Sequence, residues 1–420
     1  MSHSLTGQEL HMLIDRVFRP DNDDVRVAIF VDLPDETVPD IPKWRARRQL
    51  ATDWAAALRD GPELSAVGGR PRPIQSTGCL CYSRGRPSPE APELNMKSGR
   101  PVSLVFYRNA HANNADLPDE AWVVEQLPGP VPAHVDDLND QPTTSMADVL
   151  SSHQLILAPT QFSATAPLKI AAPQHLFRAA TMPGFSAEMI PALRLDYTEI
   201  NRRVELLKDL LDEATAAEFV FVADNQEYCL TLDLRYRKAH ASGGLIHQRG
   251  TAGNLPSGET YIVPYEGEIE DDPTASSGTL PVQLGDDLVL YCIEDNRAVD
   301  VVNKSENTTA TTEFQRLQDE PAYGNMAELG LGVLDAFGVE PTGEILLDEK
   351  LGLHIAFGRS DHFGGQVGPQ HFSSPDAVVH IDRVYVPLLQ PRVKVKTMML
   401  KFDGKPALKL MSDGRYAIEF

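Results

Sequence analysis

Through about its first 250 residues the chain alternates short apolar runs with amphipathic segments. Strands and helices that alternate in this way form a largely parallel sheet covered by helices. We therefore expect an α/β fold with an N-terminal α/β domain. The expected elements are strands at 25–32, 102–107, 153–160, 218–224 and 227–236 and helices at 44–60 and 196–215.

The pattern changes near residue 250, where short β-branched runs, glycines and Asp-Gly turns replace most of the helices. Asp-Gly between apolar runs is a hairpin signal, and it occurs twice near the end of the chain. Helices are predicted in this half only at 311–318 and at 325–337. The sequence thus predicts two domains, an N-terminal α/β domain with Pro-rich insertions over 1–250 and a C-terminal β-rich domain over 251–420.

Charge and composition exclude several classes of partner. Sixty acidic against thirty-eight basic residues give a formal charge of −22, which repels nucleic-acid phosphates. No apolar run approaches the ~18 residues that a membrane span needs. The N-terminus carries a capping pattern, Thr6 with Glu9, ahead of a helix rather than a signal peptide. We expect a cytoplasmic protein that binds neither nucleic acid nor membrane.

The four cysteines do not change this expectation. Four in a chain of 420 residues make no disulfide framework, which fits a reducing cytoplasm. Cys79 and Cys81 lack a second Cys or His pair at zinc-finger spacing. They are not expected to bind metal.

Metal-ligand side chains recur in four segments of the second half. Glu259 follows a Gly-Asn-Leu-Pro-Ser-Gly turn, Glu328 precedes Gly-Leu-Gly, and His354 lies in an apolar run. His380 and Asp382 are two positions apart, so on a strand both project to one face. Taken singly, these residues have ordinary explanations: a solvated edge acid, a helix acid, a core histidine and a hydrogen-bonded pair.

Taken together, the five residues favour a metal site. Imidazole with carboxylate is a ligand set that suits zinc, cobalt, manganese or iron. Three carboxylates and two imidazoles exceed what one tetrahedral zinc requires. Two ions that share a bridging carboxylate would use all five.

Several motifs resemble, in order and spacing, those of the aminopeptidase T family of thermophilic-type metallo-aminopeptidases. They are "GNLPSGETYIVPYEGE", "AELGLG", "DEKLGLHIAFG" and "AVVHIDRVY", and the likeness covers roughly residues 150–420. The resemblance implies an N-terminal α/β domain, a C-terminal metal-binding domain, a homodimer and two divalent ions, namely zinc, cobalt or manganese. The implied ligands are Glu259, Glu328, His354, His380 and Asp382.

The resemblance also implies an activity. Family members remove N-terminal residues from peptides, and two ions can hold and activate a bridging hydroxide for this hydrolysis. In the family a tyrosine follows the strand histidine by seven positions, where this sequence has Asp361 with His362 beside it. The proton-donating or oxyanion-binding part of the tyrosine would therefore fall to one of these two residues.

Two alternatives stay open. The scaffold also resembles ring-cleaving dioxygenases that act on dihydroxypyridines. In that case His354, His380 and Asp382 would hold one non-haem iron. A non-catalytic relative that binds metal and a peptide or another partner is the second alternative. The expected substrate is a peptide or a small molecule.

Overall fold

The computed structural model describes residues 4–60, 100–127 and 129–420. Cys79, Cys81 and the Pro-rich stretch at 68–78 lie outside the described residues. The strands are β1 (Val27–Leu33), β2 (Val102–Arg108), β3 (Glu120–Val124), β4 (Thr144–Ser145), β5 (Leu155–Ala158), β6 (Arg178–Thr181), β7 (Ala214–Ala223), β8 (Gln226–Asp233), β9 (His240–Ser242), β10 (Thr251–Asn254), β11 (Glu259–Ile262), β12 (Ser277–Leu284), β13 (Asp287–Glu294), β14 (Arg297–Val301), β15 (Met326–Gly332), β16 (Leu353–Gly358), β17 (His380–Val384), β18 (Val393–Phe402), β19 (Lys405–Ser412) and β20 (Arg415–Tyr416). The α-helices are α1 (Gly7–Phe18), α2 (Pro42–Asp60), α3 (Met146–Ser152), α4 (Thr165–His175), α5 (Ile190–Leu193), α6 (Tyr197–Glu213), α7 (Thr308–Asp319) and α8 (Ile345–Asp348).

The first sheet is largely parallel, as the alternating pattern predicts. Its strand order is β10-β6-β5-β1-β2-β3-β4; the pairs β2–β3 and β3–β4 are antiparallel, and the other described pairs are parallel. Every residue of the central strand β1 is buried. Ile29 and Val31 face one hydrophobic cluster while Ala28 and Phe30 face another. Both faces of this sheet are therefore covered, as expected for a parallel sheet.

The other two sheets are antiparallel and contain most of the strands in the second half of the chain. One has the order β17-β16-β15-β11-β9, and the other has the order β14-β13-β12-β8-β7-β18-β19-β20. Strands β7, β8 and β9 precede residue 250 but pair in these two sheets, whereas β10 follows residue 250 and pairs with β6. The fold class is confirmed, and the division at residue 250 stays a prediction.

Most of the predicted helices form. The helix predicted at 196–215 is α6, and the Asp196 side chain accepts a hydrogen bond from the Thr198 amide at 2.9 Å. The capping pattern of Thr6 and Glu9 is present at the start of α1. In the described residues, no helix combines the length and apolar character that crossing a lipid bilayer requires.

The helix predicted at 325–337 is wrong. Residues 326–332 form β15, a fully buried strand that pairs with β11 on one side and β16 on the other. Gly330 and Gly332 weaken any helix here by about 1 kcal/mol each. Backbone hydrogen bonds to β11 and β16 then stabilise the strand instead. Glu328 therefore lies in the middle of a sheet rather than on a helix surface.

The turn before β11 connects the parallel sheet to the five-stranded sheet. Gly258 has a φ of +148°, and a Cβ there would lie 2.7 Å from Cδ2 of Leu334. Only glycine fits this position without displacing the neighbouring core. The turn therefore delivers Glu259 to the sheet at a fixed place.

Candidate metal centre

The five predicted ligands lie on four neighbouring strands of the five-stranded sheet. Glu259 begins β11, Glu328 is on β15, His354 on β16, and His380 and Asp382 on β17. The register places these side chains on one face. Residues directly opposite each other share a face, and so do residues two apart on the same strand. The cross-strand pairs are Glu259 with Gly332, His354 with Gly330, Glu328 and Asp382 with Ala356, and His380 with Gly358.

Each of these five residues thus stands opposite a glycine or an alanine on one neighbouring strand, which leaves space for its side chain; Glu259 also pairs with Ser242 and His354 with Val384. The requirement is strictest at Gly330, where a Cβ would lie 1.8 Å from Nε2 of His354. The imidazole passes directly over the backbone at this position. Small residues on the neighbouring strands therefore permit five large polar side chains to converge.

The ligand atoms form two groups that share one residue. Glu259, Glu328 and His354 make the first group, and Glu328, His380 and Asp382 make the second. Within each group the ligand atoms lie within 4.8 Å of one another. Both groups have the residue types and the spacing to hold a metal ion.

Glu328 lies between the two imidazoles. Its Oε1 is 3.2 Å from Nε2 of His354, and its Oε2 is 3.1 Å from Nε2 of His380. Each imidazole also has a second carboxylate 3.7 Å away, Glu259 for His354 and Asp382 for His380. One oxygen of Glu328 thus belongs to each group.

Backbone carbonyls orient both imidazoles. Nδ1 of His380 donates a hydrogen bond to the Arg359 carbonyl at 2.8 Å, and Nδ1 of His354 donates to the Gly352 carbonyl at 3.3 Å. Each Nε2 then faces Glu328. A metal-ligating histidine usually has this arrangement, with one nitrogen held by the protein and the other free for the ion.

Because these groups are buried close together, the charge of each one shifts the pKa values of the others. Burial alone would raise the pKa of the Glu328 carboxyl, but hydrogen bonds from the two imidazoles hold that pKa well below its usual value. Burial alone would lower the pKa of His354, but the hydrogen bond to Glu328 and the nearby carboxylates raise it to about 9. Protons on the imidazoles therefore balance the carboxylates in the absence of metal.

The donor set fits divalent cations. Three carboxylates and two imidazoles are hard-to-intermediate ligands, and Glu328 and His354 are almost fully buried. Their convergence would be unfavourable without a cation or protons at the centre, because carboxylates so close together repel one another. The described residues can therefore hold a metal ion.

The two candidates for the family tyrosine occupy a turn after β16. Oδ1 of Asp361 accepts a hydrogen bond from Nε of Arg359 at 2.5 Å. The His362 ring lies 5.3 Å from the ring of His380, measured between centroids. Burial, with the charges of His380 and Arg359, lowers the pKa of His362 to about 4. His362 is thus an uncharged imidazole beside His380, and Asp361 is paired with Arg359.

A buried glutamate that the sequence analysis did not identify holds this turn in place. Oε1 of Glu266 accepts hydrogen bonds from Ser360 Oγ at 2.6 Å and Asn325 Nδ2 at 2.9 Å. Its Oε2 accepts from Arg237 at 3.3 Å and from the Gln366 amide. The motif that ends in "PYEGE" contains this residue, but its distant partners cannot be read from the sequence.

Three further residues beside the centre carry no signal in the sequence: Lys350, Glu349 and Tyr261. Nζ of Lys350 is completely buried, lies 2.6 Å from Oε1 of Glu259 and also pairs with Glu349. Tyr261 lies on the same face of β11 as Glu259, and its ring is 4.7 Å from the ring of Phe363. Lysine is rarely buried, and no local pattern at Lys350 predicts burial.

The known proteins that resemble this chain do so in fold. No family model and no curated protein matches the sequence. The chain is similar to 2,5-dihydroxypyridine dioxygenase from Pseudomonas putida KT2440, with a TM-score of 0.56, 12% identity and coverage of 100% of this chain and 99% of that chain. It is also similar to wild-type AmpT, an aminopeptidase T, from Thermus thermophilus, with a TM-score of 0.51, 12% identity and coverage of 98% of each. The fold is therefore one that an aminopeptidase and a dioxygenase share, and both are enzymes.

Substituting Gly330 by alanine is expected to weaken metal binding about 10- to 100-fold, because the new methyl group displaces the imidazole of His354. Metal content after equilibrium dialysis measures the effect. Gly253→Ala is the matched control, since a Cβ at that strand position makes only ordinary contact with Ile246. Wild-type metal affinity in Gly330→Ala would contradict the placement of His354.

The metal-free protein is expected to lose stability as the pH rises from about 6.5 to about 9. The pKa of His354 is raised from 6.5 to about 9 in the folded chain, so its stabilising contribution is complete below 6.5 and is lost on deprotonation. Burial, with the charges of Glu259 and Asp382, raises the pKa of Glu349 to about 8, which acts in the same direction.

Thermal unfolding of chelator-treated protein across this pH range measures the loss. His354→Gln should reduce the slope because the titrating imidazole is gone. Adding metal should also reduce it and release protons, because the ion replaces them on the imidazoles. A melting temperature that rises with pH in this window would contradict the assignment.

Proposed function

We propose that this protein is a dinuclear metal-dependent aminopeptidase that hydrolyses the N-terminal residue from peptides. The observation that carries the proposal is the position of Glu328 between two ligand groups. Each group has its own imidazole and its own further carboxylate. A single carboxylate shared in this way suits two cations better than one.

In this proposal each ligand has a defined part. Glu259 and His354 would hold one ion, His380 and Asp382 would hold the other, and Glu328 would bridge them. Zinc, cobalt and manganese all accept this ligand set. When bound, such a pair activates a water molecule and polarises the substrate carbonyl. The rest of the chemistry falls to side chains around the centre.

His362 is the side chain best placed to serve the substrate. Its ring lies next to His380, about one third of its side chain is exposed, and it is uncharged at neutral pH. An uncharged imidazole can donate one hydrogen bond and accept another, which suits the carbonyl oxygen and leaving amine of a peptide. Asp361 would act indirectly, because its carboxylate is occupied by Arg359.

Side chains beside the centre favour an organic substrate with an apolar part. Tyr261 and Phe363 pack together, and the ring of Phe363 lies 5.5 Å from that of His380. These rings form an apolar wall beside a charged centre. A peptide whose first side chain rests on this wall would place its scissile carbonyl near the ligand groups.

The dioxygenase is the second candidate, and the similarity in fold to 2,5-dihydroxypyridine dioxygenase favours it. A single non-haem iron would need His354, His380 and Asp382 around one point. Among the described residues these three do not form a group, because the two imidazoles fall in different groups. The geometry therefore favours the hydrolase. The homodimer and the cytoplasmic location remain predictions.

The metal content of protein purified without chelator tests the proposal. We expect about two ions of zinc, cobalt or manganese per chain, and hydrolysis of aminoacyl p-nitroanilides that stops when the metal is removed. Glu328→Ala should lower metal content below one ion per chain. Glu227→Ala, which removes an exposed carboxylate paired with Lys396, is the control. One iron per chain with oxygen-dependent cleavage of 2,5-dihydroxypyridine would establish the other function.

Replacing both Asp361 and His362 by alanine is expected to slow hydrolysis about 100-fold or more while metal content stays at the wild-type level. In single variants the larger loss should come from His362, since its ring lies beside that of His380 whereas Asp361 is paired with Arg359. His371→Ala, an exposed imidazole further along the same loop, is the control. Unchanged kcat and KM in the double variant would remove both residues from the mechanism.

A further inference from the structure

Glu259 has a permanent cationic partner inside the protein. Lys350 is completely buried, and its Nζ lies 2.6 Å from Oε1 of Glu259. The same ammonium group pairs with Glu349. Lysine is almost never fully buried unless its charge is compensated. Glu259 provides the negative charge, and Glu349 provides a second oxygen next to the ammonium group.

The backbone around Lys350 fixes this lysine beside the metal-binding sheet. Its amide donates to the Leu347 carbonyl and its carbonyl accepts from the Leu334 amide, both at 2.9 Å. A Cβ at Gly332 would lie 2.2 Å from the carbonyl carbon of Lys350, so the two segments touch. Gly332 is itself the register partner of Glu259. The ammonium group therefore stays at Glu259.

This contact gives the two oxygens of Glu259 different partners. Oε1 pairs with Nζ of Lys350, and Oε2 lies 3.7 Å from Nε2 of His354, on the side of the metal ligands. Only Oε2 is directed at the metal position. Lys169 of α4 lies close enough to influence the same carboxylate electrostatically. The first ligand group therefore contains a carboxylate that a lysine already neutralises in part.

The second ligand group has a different electrostatic setting. Asp382 and Glu328 lie near the imidazole of His380, at 3.7 Å and 3.1 Å. Among the described residues, no lysine or arginine forms an ion pair with Asp382 or Glu328. A lysine ammonium therefore contacts a carboxylate of the first group but none of the second.

We propose that Lys350 is a positioning residue that makes the two metal positions unequal. It restricts Glu259 to one ligating oxygen and repels a cation there, so the position of Glu328, His380 and Asp382 fills first. The position of Glu259, Glu328 and His354 fills second, with roughly tenfold or greater weakening from the nearby ammonium charge. The inference rests on the two-ion centre of the proposed function.

The consequence is a dependence of activity on metal concentration. At limiting metal the protein would hold one ion, at the His380 position. The second ion completes the centre that hydrolysis requires. Activity would therefore follow the occupancy of the weaker position.

Calorimetric titration of the chelator-treated full chain with Mn²⁺ tests this inference. Wild type should show two classes of site at least roughly tenfold apart in affinity. His354→Ala should remove the weaker class and His380→Ala the tighter one. Lys350→Met should strengthen the weaker class until the two merge, while the metal-free protein melts at a lower temperature. Lys43→Met, which removes an exposed lysine paired with Glu344, should change neither class.

Three results would overturn the inference: equal affinities in wild type, a weaker class that Lys350→Met leaves unchanged or weakens further, or loss of the tighter class in His354→Ala. If Lys350→Met does not fold, the two histidine variants decide, because both retain the lysine. Unequal binding of two ions without peptide hydrolysis would contradict the proposed function alone. Two equal sites in an active peptidase would contradict the inference alone.

Discussion

The hydrogen bonds that Glu328 accepts from two imidazoles are the interaction on which the rest of the centre depends. Glu328 lies in β15, the buried middle strand of its sheet, with His354 on the adjacent strand and His380 one strand further. A carboxylate this deeply buried is stable only with positive charge nearby. Imidazolium protons supply that charge without metal, and cations can replace them. The order of these three strands therefore creates a buried site around Glu328 that requires positive charge.

Small residues make this arrangement sterically possible. Each candidate ligand faces a glycine or an alanine on at least one neighbouring strand, and at Gly330 even a methyl group would collide with His354. Glycines destabilise strands because they pack poorly and have high backbone entropy. Here side chains of the candidate metal ligands, such as the His354 imidazole at Gly330, occupy the space that the glycines leave. The "AELGLG" segment therefore combines an acid with the clearance that its neighbours need.

The surroundings of the centre are also set by buried charges. Lys350 compensates Glu259 on one side, and Glu266 holds the turn with Asp361 and His362 on the other. A buried ion pair adds little to stability on balance, but removing one partner leaves an uncompensated charge. Such pairs therefore fix geometry more than they add stability. In this protein they decide which oxygen of Glu259 faces His354 and how close the ring of His362 lies to that of His380.

The sequence alone determined the fold class, most strands and helices, and the five candidate ligands, because periodicity and residue type are local properties. It assigned 325–337 to a helix, with Glu328 explained as an ordinary helix acid. Tertiary structure made it a strand, since pairing with β11 and β16 depends on residues far along the chain. The division of the ligands into two groups that share Glu328, and the burial of Lys350, were likewise decided by register and packing. Both depend on long-range contacts, which leave no periodic trace in the sequence.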